Sequence, residues 1–242
     1  MTSSAPTPDI LSPDQRRLRN RQEMLNAILD ASRAVMRERG VAALSLREVA
    51  RRVRLQAPSL YAYFPSKAAL YQELFLRAVR RFGAYKEGSA RRASSFWDRL
   101  DSDFTTYMQF AHEQPDLFQL AFERPVPGFT PSEESMAESA ATLGGLTKTL
   151  EQAIQDGSIQ PHVSVTEARD LITAMSHGLT SQHMANEPDL PLGSGRYGSL
   201  IPAAVALFRL AWEPKQKSSP DNRNRPEAAT AQSRRSAGTH LE

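Results

Sequence analysis

The residues with the most chemistry to offer stand close together in REVARRVRLQAPSLYAYFPSK, Arg47 to Lys67. Arg47, Arg51, Arg52 and Arg54 precede Gln56, Ser59, Tyr61 and Tyr63, and Lys67 closes the run. No nucleophile–base couple accompanies them, so the chemistry on offer is recognition of a polyanion. Guanidinium and ammonium groups displace condensed counterions from a phosphate backbone. Gln56 and Ser59 can reach base edges or phosphates, Ala57 and Ala62 can touch a thymine methyl, and the Tyr61 and Tyr63 hydroxyls can donate to phosphates. For Arg51 and Arg52 an ordinary solvated helix face is the competing reading. Ser45, at a helix start just upstream, directs backbone N–H groups toward an anion.

Other chemistries are thinly represented. The 242 residues contain no cysteine, which removes disulfides, thiolate nucleophiles and thiolate metal sites. His112, His162, His177, His183 and His240 show no metal-ligand spacing, and no GxSxG, GxGxxG or GxxxxGKS/T motif is present. No catalytic residue, metal or cofactor is therefore expected. An all-helical enzyme using His112 or His177 with nearby carboxylates is the remote alternative. No apolar run of about 18 residues occurs and the first 30 residues are polar and charged, so the expectation is a cytoplasmic chain without a membrane span or secretory signal.

The elements that must position the basic run are helical. From Gln15, Leu25, Ile28, Leu29, Ser32, Val35 and Met36 form one stripe, and Gly40 stops the helix. Ser45 and Glu48 predict a capping box for a short second helix ending near Val53, with Leu44 and Val49 as its hydrophobic staple. After a turn at Arg54 and Leu55, Gln56 caps a third short helix with Pro58 in its first turn, and Pro65 ends it. Leu60 and Phe64 face inward onto Leu29, Val49 and Val53. Ser66 caps a fourth helix, Lys67 to Tyr85. Two short helices flanked by long amphipathic ones make a helix-turn-helix, whose second helix enters a major groove.

Further helical patterns cover Ala93–Glu113, Glu133–Gly157, Val165–Asn186 and Ile201–Trp212, with a Pro/Gly-rich loop at RPVPGFTPS and another over Pro188–Ser199. The expected organisation is a disordered tail over 1–14, a helix-turn-helix domain over 15–66, a connecting helix over 67–85, a helical body over 86–213 and a disordered tail over 214–242. Charge divides similarly. Residues 1–90 hold 16 Lys/Arg against 8 Asp/Glu, whereas residues 91–212 hold 8 against 15. A basic unit joined to an acidic one suits a polyanion partner for the first alone.

The stretch Ile28 to Leu70, under a fifth of the chain, resembles the DNA-binding domain of the tetracycline-repressor (TetR) family. The shared marks are ILDAS, the ERG turn, SLREVA and LYxYFPSKxxL, the last matched at Leu60, Tyr61, Tyr63, Phe64, Lys67 and Leu70. The resemblance implies an all-α, two-domain homodimer binding an approximately palindromic double-stranded DNA operator. It also implies phosphate contacts from Ser45, Tyr61, Tyr63 and Lys67, and base readout by Gln56, Ala57, Pro58 and Ser59. Arg47 and Arg54 add cationic contacts. Arg54 stands where the family usually has glycine, which predicts a turn closed in a costlier conformation.

SHGLTSQHMANEP, Ser176 to Pro188, is similar to a segment of one broad group of TetR-like C-terminal domains. That likeness places Val165–Asn186 and Ile201–Trp212 at a twofold interface, with Leu179, His183, Leu207, Phe208 and Trp212 as candidates. Phe104, Tyr107, Met108, Phe110, His112, Phe122, Met175 and His177 are candidates for lining an apolar cavity holding an unidentified small-molecule effector. The expected function is a DNA-binding transcriptional regulator, a repressor released from its operator by that ligand. Transmission is expected through the fourth helix. The alternative is a constitutive architectural DNA-binding dimer, which would lack a cavity.

Overall fold

The computed structural model describes residues 12–91 and 93–215, and among these every regular element is helical. Residues 1–11 and 216–242 of the expected tails lie outside the described residues. Helix α1 (Pro13–Arg39) starts two residues before the apolar pattern suggests, because Ser12 and Gln15 form a reciprocal capping box. It buries Ile28, Leu29, Ser32, Val35 and Met36. At Gly40, φ is 86°, a conformation glycine adopts without side-chain strain, and the chain turns away.

Ser45 caps α2 (Leu46–Arg52) by accepting the Glu48 N–H at 3.5 Å. The expected capping box is only half formed. Glu48 turns its carboxylate to Arg51 and Arg52 instead, at 2.7 and 2.9 Å. Charge-assisted bonds to guanidinium are stronger than one to a neutral backbone N–H. Helix α3 (Ala57–Tyr61) has Pro58 in its first turn. Its Leu60 packs with Leu29, Val49 and Phe64 in a core that also takes Leu70, Tyr71 and Leu74 from α4 (Lys67–Ala90). Each fully buried aliphatic side chain there contributes about 1.5–3 kcal/mol.

Helix α4 runs five residues past Tyr85 and enters a second core. Its Ala78 and Phe82 join Phe110 and Ala111 of α5 (Phe96–Glu113) and Leu117 and Phe118 of α6 (Pro115–Phe118). A π-helical turn, Gln119–Glu123, continues α6 and ends at Arg124 with φ 48°. Its Leu120 returns to the first core, whereas Phe122 packs against the second. The extra residue per turn of a π-helix allows neighbouring apolar side chains to serve different cores.

Glu133–Gly157 is two helices, not one. Helix α7 (Glu133–Leu143) and α8 (Gly145–Gln155) meet at Gly144, where an added Cβ would lie 2.8 Å from the Ala140 carbonyl oxygen. The Gly144–Gly145 pair also removes the entropic restraint that holds a helix straight. Helix α7 docks on α4 through Arg80 to Glu138 at 2.6 Å and Gln72 to the Ser132 N–H at 3.0 Å. The third core unites Leu100 and Phe104 of α5, Leu150 of α8, Ala168 and Ile172 of α9 (Val165–Asn186), and Phe208 and Trp212 of the last helix. The expected loop over Pro188–Ser199 contains a short helix, α10 (Gly195–Gly198), before α11 (Ile201–Trp212).

A polar tie joins α1 to the α5–α6 corner. The Asp116 side chain is fully buried and accepts from Arg33 Nε at 2.7 Å and Arg37 Nε at 2.8 Å. Arg33 also donates to Gln114 Oε1 at 2.6 Å. Burial pushes the Asp116 carboxyl up, but the hydrogen bonds and charges of Arg33 and Arg37 together outweigh it and hold it below the ordinary carboxylate range. Such a depressed carboxylate contributes stability above its unfolded pKa of about 3.9, and that contribution is lost as pH falls through its folded value. Asp116→Ala leaves Arg33 largely uncompensated and is expected to cost about 3 kcal/mol. Urea unfolding from pH 6 to pH 2 checks both points: the variant is weaker at pH 6 and loses less stability on acidification than the unaltered chain.

Candidate functional site

Helix α3 is held by one buried side chain and presents the rest. Leu60 is buried, while Gln56, Ala57, Pro58, Ser59, Tyr61 and Ala62 are exposed, Tyr61 at 51%. Gln56 occupies the N-cap position, and its side chain makes no cap hydrogen bond to the helix it starts. Ser45, Arg47, Gln56 and Ala57 line one open depression between α2 and α3. Four residues expected to meet a duplex therefore share one concave surface.

The cations nearby divide into two kinds. Arg51 and Arg52 clamp Glu48, whose carboxyl their hydrogen bonds hold down at about 2, and Arg52 also bonds Glu38 Oε1 at 2.8 Å. These two arginines brace α2. Arg47 and Arg54 are exposed and make no ion pair among the described residues. Lys67 donates to the Ala42 carbonyl at 3.2 Å and lies 5.4 Å from the centre of the Tyr71 ring, with further ammonium hydrogens left to give. Tyr63 is half-buried beneath the Arg21 guanidinium, 5.2 Å away. Arg54 has φ 57°, left-handed as the missing glycine implies, and the turn is closed by the Leu55 N–H donating to the Ala50 carbonyl at 2.9 Å.

In the body, two cavities of about 160 Å³ each share Phe122 as a lining residue. The inner one is lined by Phe82 and Lys86 of α4, Phe104 and Tyr107 of α5, Leu146 of α8 and Ile172 and Ser176 of α9. The outer one lies between Phe75 and Val79 of α4, the π-turn and Met136 of α7. Of the expected lining residues, Phe104, Tyr107 and Phe122 do face the inner cavity. His177 stands behind it, with Nδ1 3.0 Å from the Tyr107 hydroxyl and its ring stacked on Phe118. Burial pushes the Tyr107 phenol well above its ordinary value, so it stays a neutral hydroxyl.

The other candidates lie elsewhere. Phe110 is fully buried in the second core and Met108 in the third, one on each side of α5. His112 lines neither cavity. Met175 is exposed, because Ile172 and Ser176 occupy the inward stripe of α9 and turn it out. Phe82, Lys86, Leu146, Ile172 and Ser176 lie outside the expected set, as do Asp103 and Thr173. Helical spacing from Ile172 reaches Ser176, but nothing local marks Lys86 as lining a cavity.

The expected interface residues also separate. His183 is completely buried, with no hydrogen bond to either ring nitrogen among the described residues, and the Phe208 and Trp212 rings lie tilted against each other in the third core, centroids 4.6 Å apart. Leu179 is partly buried against that core. Ala204, Val205, Phe208 and Trp212 make the inward stripe of α11, so Leu207 and Leu210 are left exposed at 59% and 83%. On α9, Leu171 and Met175 are exposed at 55% and 37%. The outward apolar surface is therefore built from Leu171, Met175, Leu207 and Leu210, of which only Leu207 was anticipated.

Residues 28–74 match the family model for bacterial regulatory proteins of the tetR family, and residues 104–196 match that of a tetracyclin repressor-like C-terminal domain. A TetR family transcription regulator from Marinobacter aquaeolei VT8 is 18% identical with a TM-score of 0.63, covering 82% of this chain and 100% of that one. The transcriptional regulator FadR from Bacillus subtilis, solved with stearoyl-CoA, is 18% identical with a TM-score of 0.62, covering 76% and 96%. The ketosteroid transcriptional regulator KstR2 of Mycobacterium tuberculosis is 19% identical with a TM-score of 0.56, covering 79% and 96%. These likenesses establish a common fold. No curated protein matches the sequence.

Arg54 sets turn geometry against surface charge. Arg54→Gly removes a left-handed penalty of about 1–2 kcal/mol, partly offset by a looser unfolded chain. The expected result is a thermal midpoint equal to or above that of the unaltered chain, together with weaker binding to duplex DNA; calorimetry and fluorescence anisotropy read the two effects separately.

Proposed function

We propose that this chain, which belongs to the tetR family of bacterial regulatory proteins, acts as a homodimeric repressor whose grip on its operator is released by a small molecule bound in the helical body. As a DNA-binding transcription regulator it reads DNA through its helix-turn-helix. Residues 15–66 serve as the reading unit, 67–85 as the connector and 86–213 as the sensing and dimerising body.

One observation carries the ligand-controlled reading. The inner cavity is walled by Phe82 and Lys86 of α4, the same helix whose Leu70 and Leu74 pack beneath α3. A molecule that prefers one placement of α4 shifts the reading helix with it, to the extent of that preference. The Asp116 tie offers a second route, since α6 and its π-turn join Arg33 to Phe122 at the cavity wall. An architectural dimer has no need of such a cavity. The two chambers share Phe122 in their walls. The FadR relative was solved with stearoyl-CoA and KstR2 is named for ketosteroids, which favours a large apolar effector here too.

The outward faces of α9 and α11 supply the dimer contact. A surface carrying Leu171, Met175, Leu207 and Leu210 is apolar enough to bury against a second copy, and twofold symmetry would present two α3 helices to successive major-groove turns.

Two measurements test this reading. Selection from a randomised duplex library is expected to enrich a palindrome, and apolar small molecules that raise the thermal midpoint should release that duplex; ligands that stabilise the protein without releasing DNA would refute effector control. In sedimentation, the unaltered chain is expected as a dimer, and Leu207→Glu/Leu210→Glu as a folded monomer binding the palindrome at least tenfold more weakly. A dimer retained by the double variant would place the interface elsewhere.

A further inference from the structure

Among the described residues, no apolar packing supports the first three turns of α1. Every residue from Ser12 to Glu23 is exposed, including Leu18 at 71%, and apolar packing begins only at Met24 and Leu25. Residues 13–23 project about 16 Å at 1.5 Å per residue. A helix with no buried face is marginal in water and owes its persistence to end effects and to the packed helix it extends. Here the Ser12–Gln15 box caps it, and two solvent-exposed ion pairs run along it, Arg17 with Asp14 at 3.6 Å and Arg19 with Glu23 at 3.5 Å.

Its charge is one-sided. Arg16, Arg17, Arg19 and Arg21 face only Asp14 and Glu23 in this segment, and neither Arg16 nor Arg21 makes an ion pair among the described residues. Exposed pairs such as Arg17–Asp14 are worth well under about 1 kcal/mol, so a phosphate can take either arginine over at little cost. The segment is also continuous with the reading surface: the Arg21 guanidinium lies 5.2 Å over the ring of Tyr63, two residues from exposed Tyr61 at the end of α3. Of the arginines in the neighbouring α1–α4 groove, Arg77 pairs with Asp30 at 3.0 Å and Arg80 with Glu138 at 2.6 Å, while Arg81 is exposed.

We infer that residues 13–23 of α1 form a second DNA contact, a basic helical arm whose Arg16, Arg17 and Arg21 lie against the phosphate backbone flanking the bases read by α3. The occupant is duplex DNA because the arm is cationic, apolar only at Pro13 and Leu18, and adjoins the surface that meets the major groove. The contact carries no base specificity. It lengthens the footprint and steepens the salt dependence of binding. The inference rests on the DNA-binding reading and extends it to a segment outside the helix-turn-helix.

The test measures affinity for a random-sequence 40-base-pair duplex from 50 to 200 mM salt, which needs no knowledge of the operator. Arg16→Gln/Arg17→Gln/Arg21→Gln keeps helix propensity and alters only exposed side chains, so its thermal midpoint should match that of the unaltered chain. Each lost phosphate contact lowers the slope of log K against log salt by about 0.9, so the triple variant should lose roughly 2–3 from the slope, and its affinity should fall about 40-fold less across that salt range. Arg16→Lys/Arg17→Lys/Arg21→Lys should restore most of the slope. A change below about 1 in the glutamine variant, or no recovery in the lysine variant, would overturn the arm while leaving helix-turn-helix binding intact. Absence of binding by the unaltered chain would remove the DNA reading and the arm together.

Discussion

Helix α4 has to be buried in two cores at once, and the arrangement of the molecule follows from that constraint. Its first half gives Leu70, Tyr71 and Leu74 to the core beneath α3, and its second gives Ala78 and Phe82 to the core around α5 and α6. A single helix transmits displacement along its axis with little loss, because its backbone hydrogen bonds are satisfied internally. Neither core can therefore shift without the other responding. Asp116 adds a second link that crosses from α1 to the corner after α5, and its buried charge makes separation of these elements costly. The π-turn after α6 completes the circuit, with Leu120 in the first core and Phe122 at the second.

The basic surface shows why counting charges says little about binding. Arg51 and Arg52 are satisfied by Glu48 and Glu38 and stiffen the short α2, which at seven residues has little stability of its own. Arg47 and Arg54, exposed and without such partners among the described residues, remain available to a ligand. Arg54 accepts a left-handed backbone as well, so the turn that sets α3 against α2 stores local strain in a residue that also carries surface charge.

The body places its apolar side chains in three settings. Stripes on α5, α8, α9 and α11 fill the third core, Phe82, Phe104 and Tyr107 surround a small cavity, and Leu171, Met175, Leu207 and Leu210 face outward. The cavity is mostly apolar, with polar groups at Tyr107, whose neutral hydroxyl lies beside His177, and at Lys86, Asp103, Thr173 and Ser176. Such a lining orients an apolar guest through few directional contacts. The outward leucines of α9 and α11 are a different feature, apolar side chains left on the surface rather than packed into any of the three cores.

Much of this was legible in the residues alone. Helical periodicity identified the buried stripe of α1, Ser45 and Ser66 marked helix starts, and the LYxYFPSK run marked the reading unit, because caps, turns and amphipathic spacing act over a few residues and leave local signatures. The Gly144–Gly145 pair is visible too, but the apolar pattern running across it reads as one continuous helix. What the sequence could not supply was which face of a buried helix meets which neighbour. His183, Phe208 and Trp212 look like interface anchors and are core; Met175 looks like cavity lining and faces outward; Asp116 has no local mark of its pairing with arginines 79 and 83 residues away. Those outcomes depend on how several helices share a limited interior, and only tertiary packing determines which of two equally apolar faces is covered.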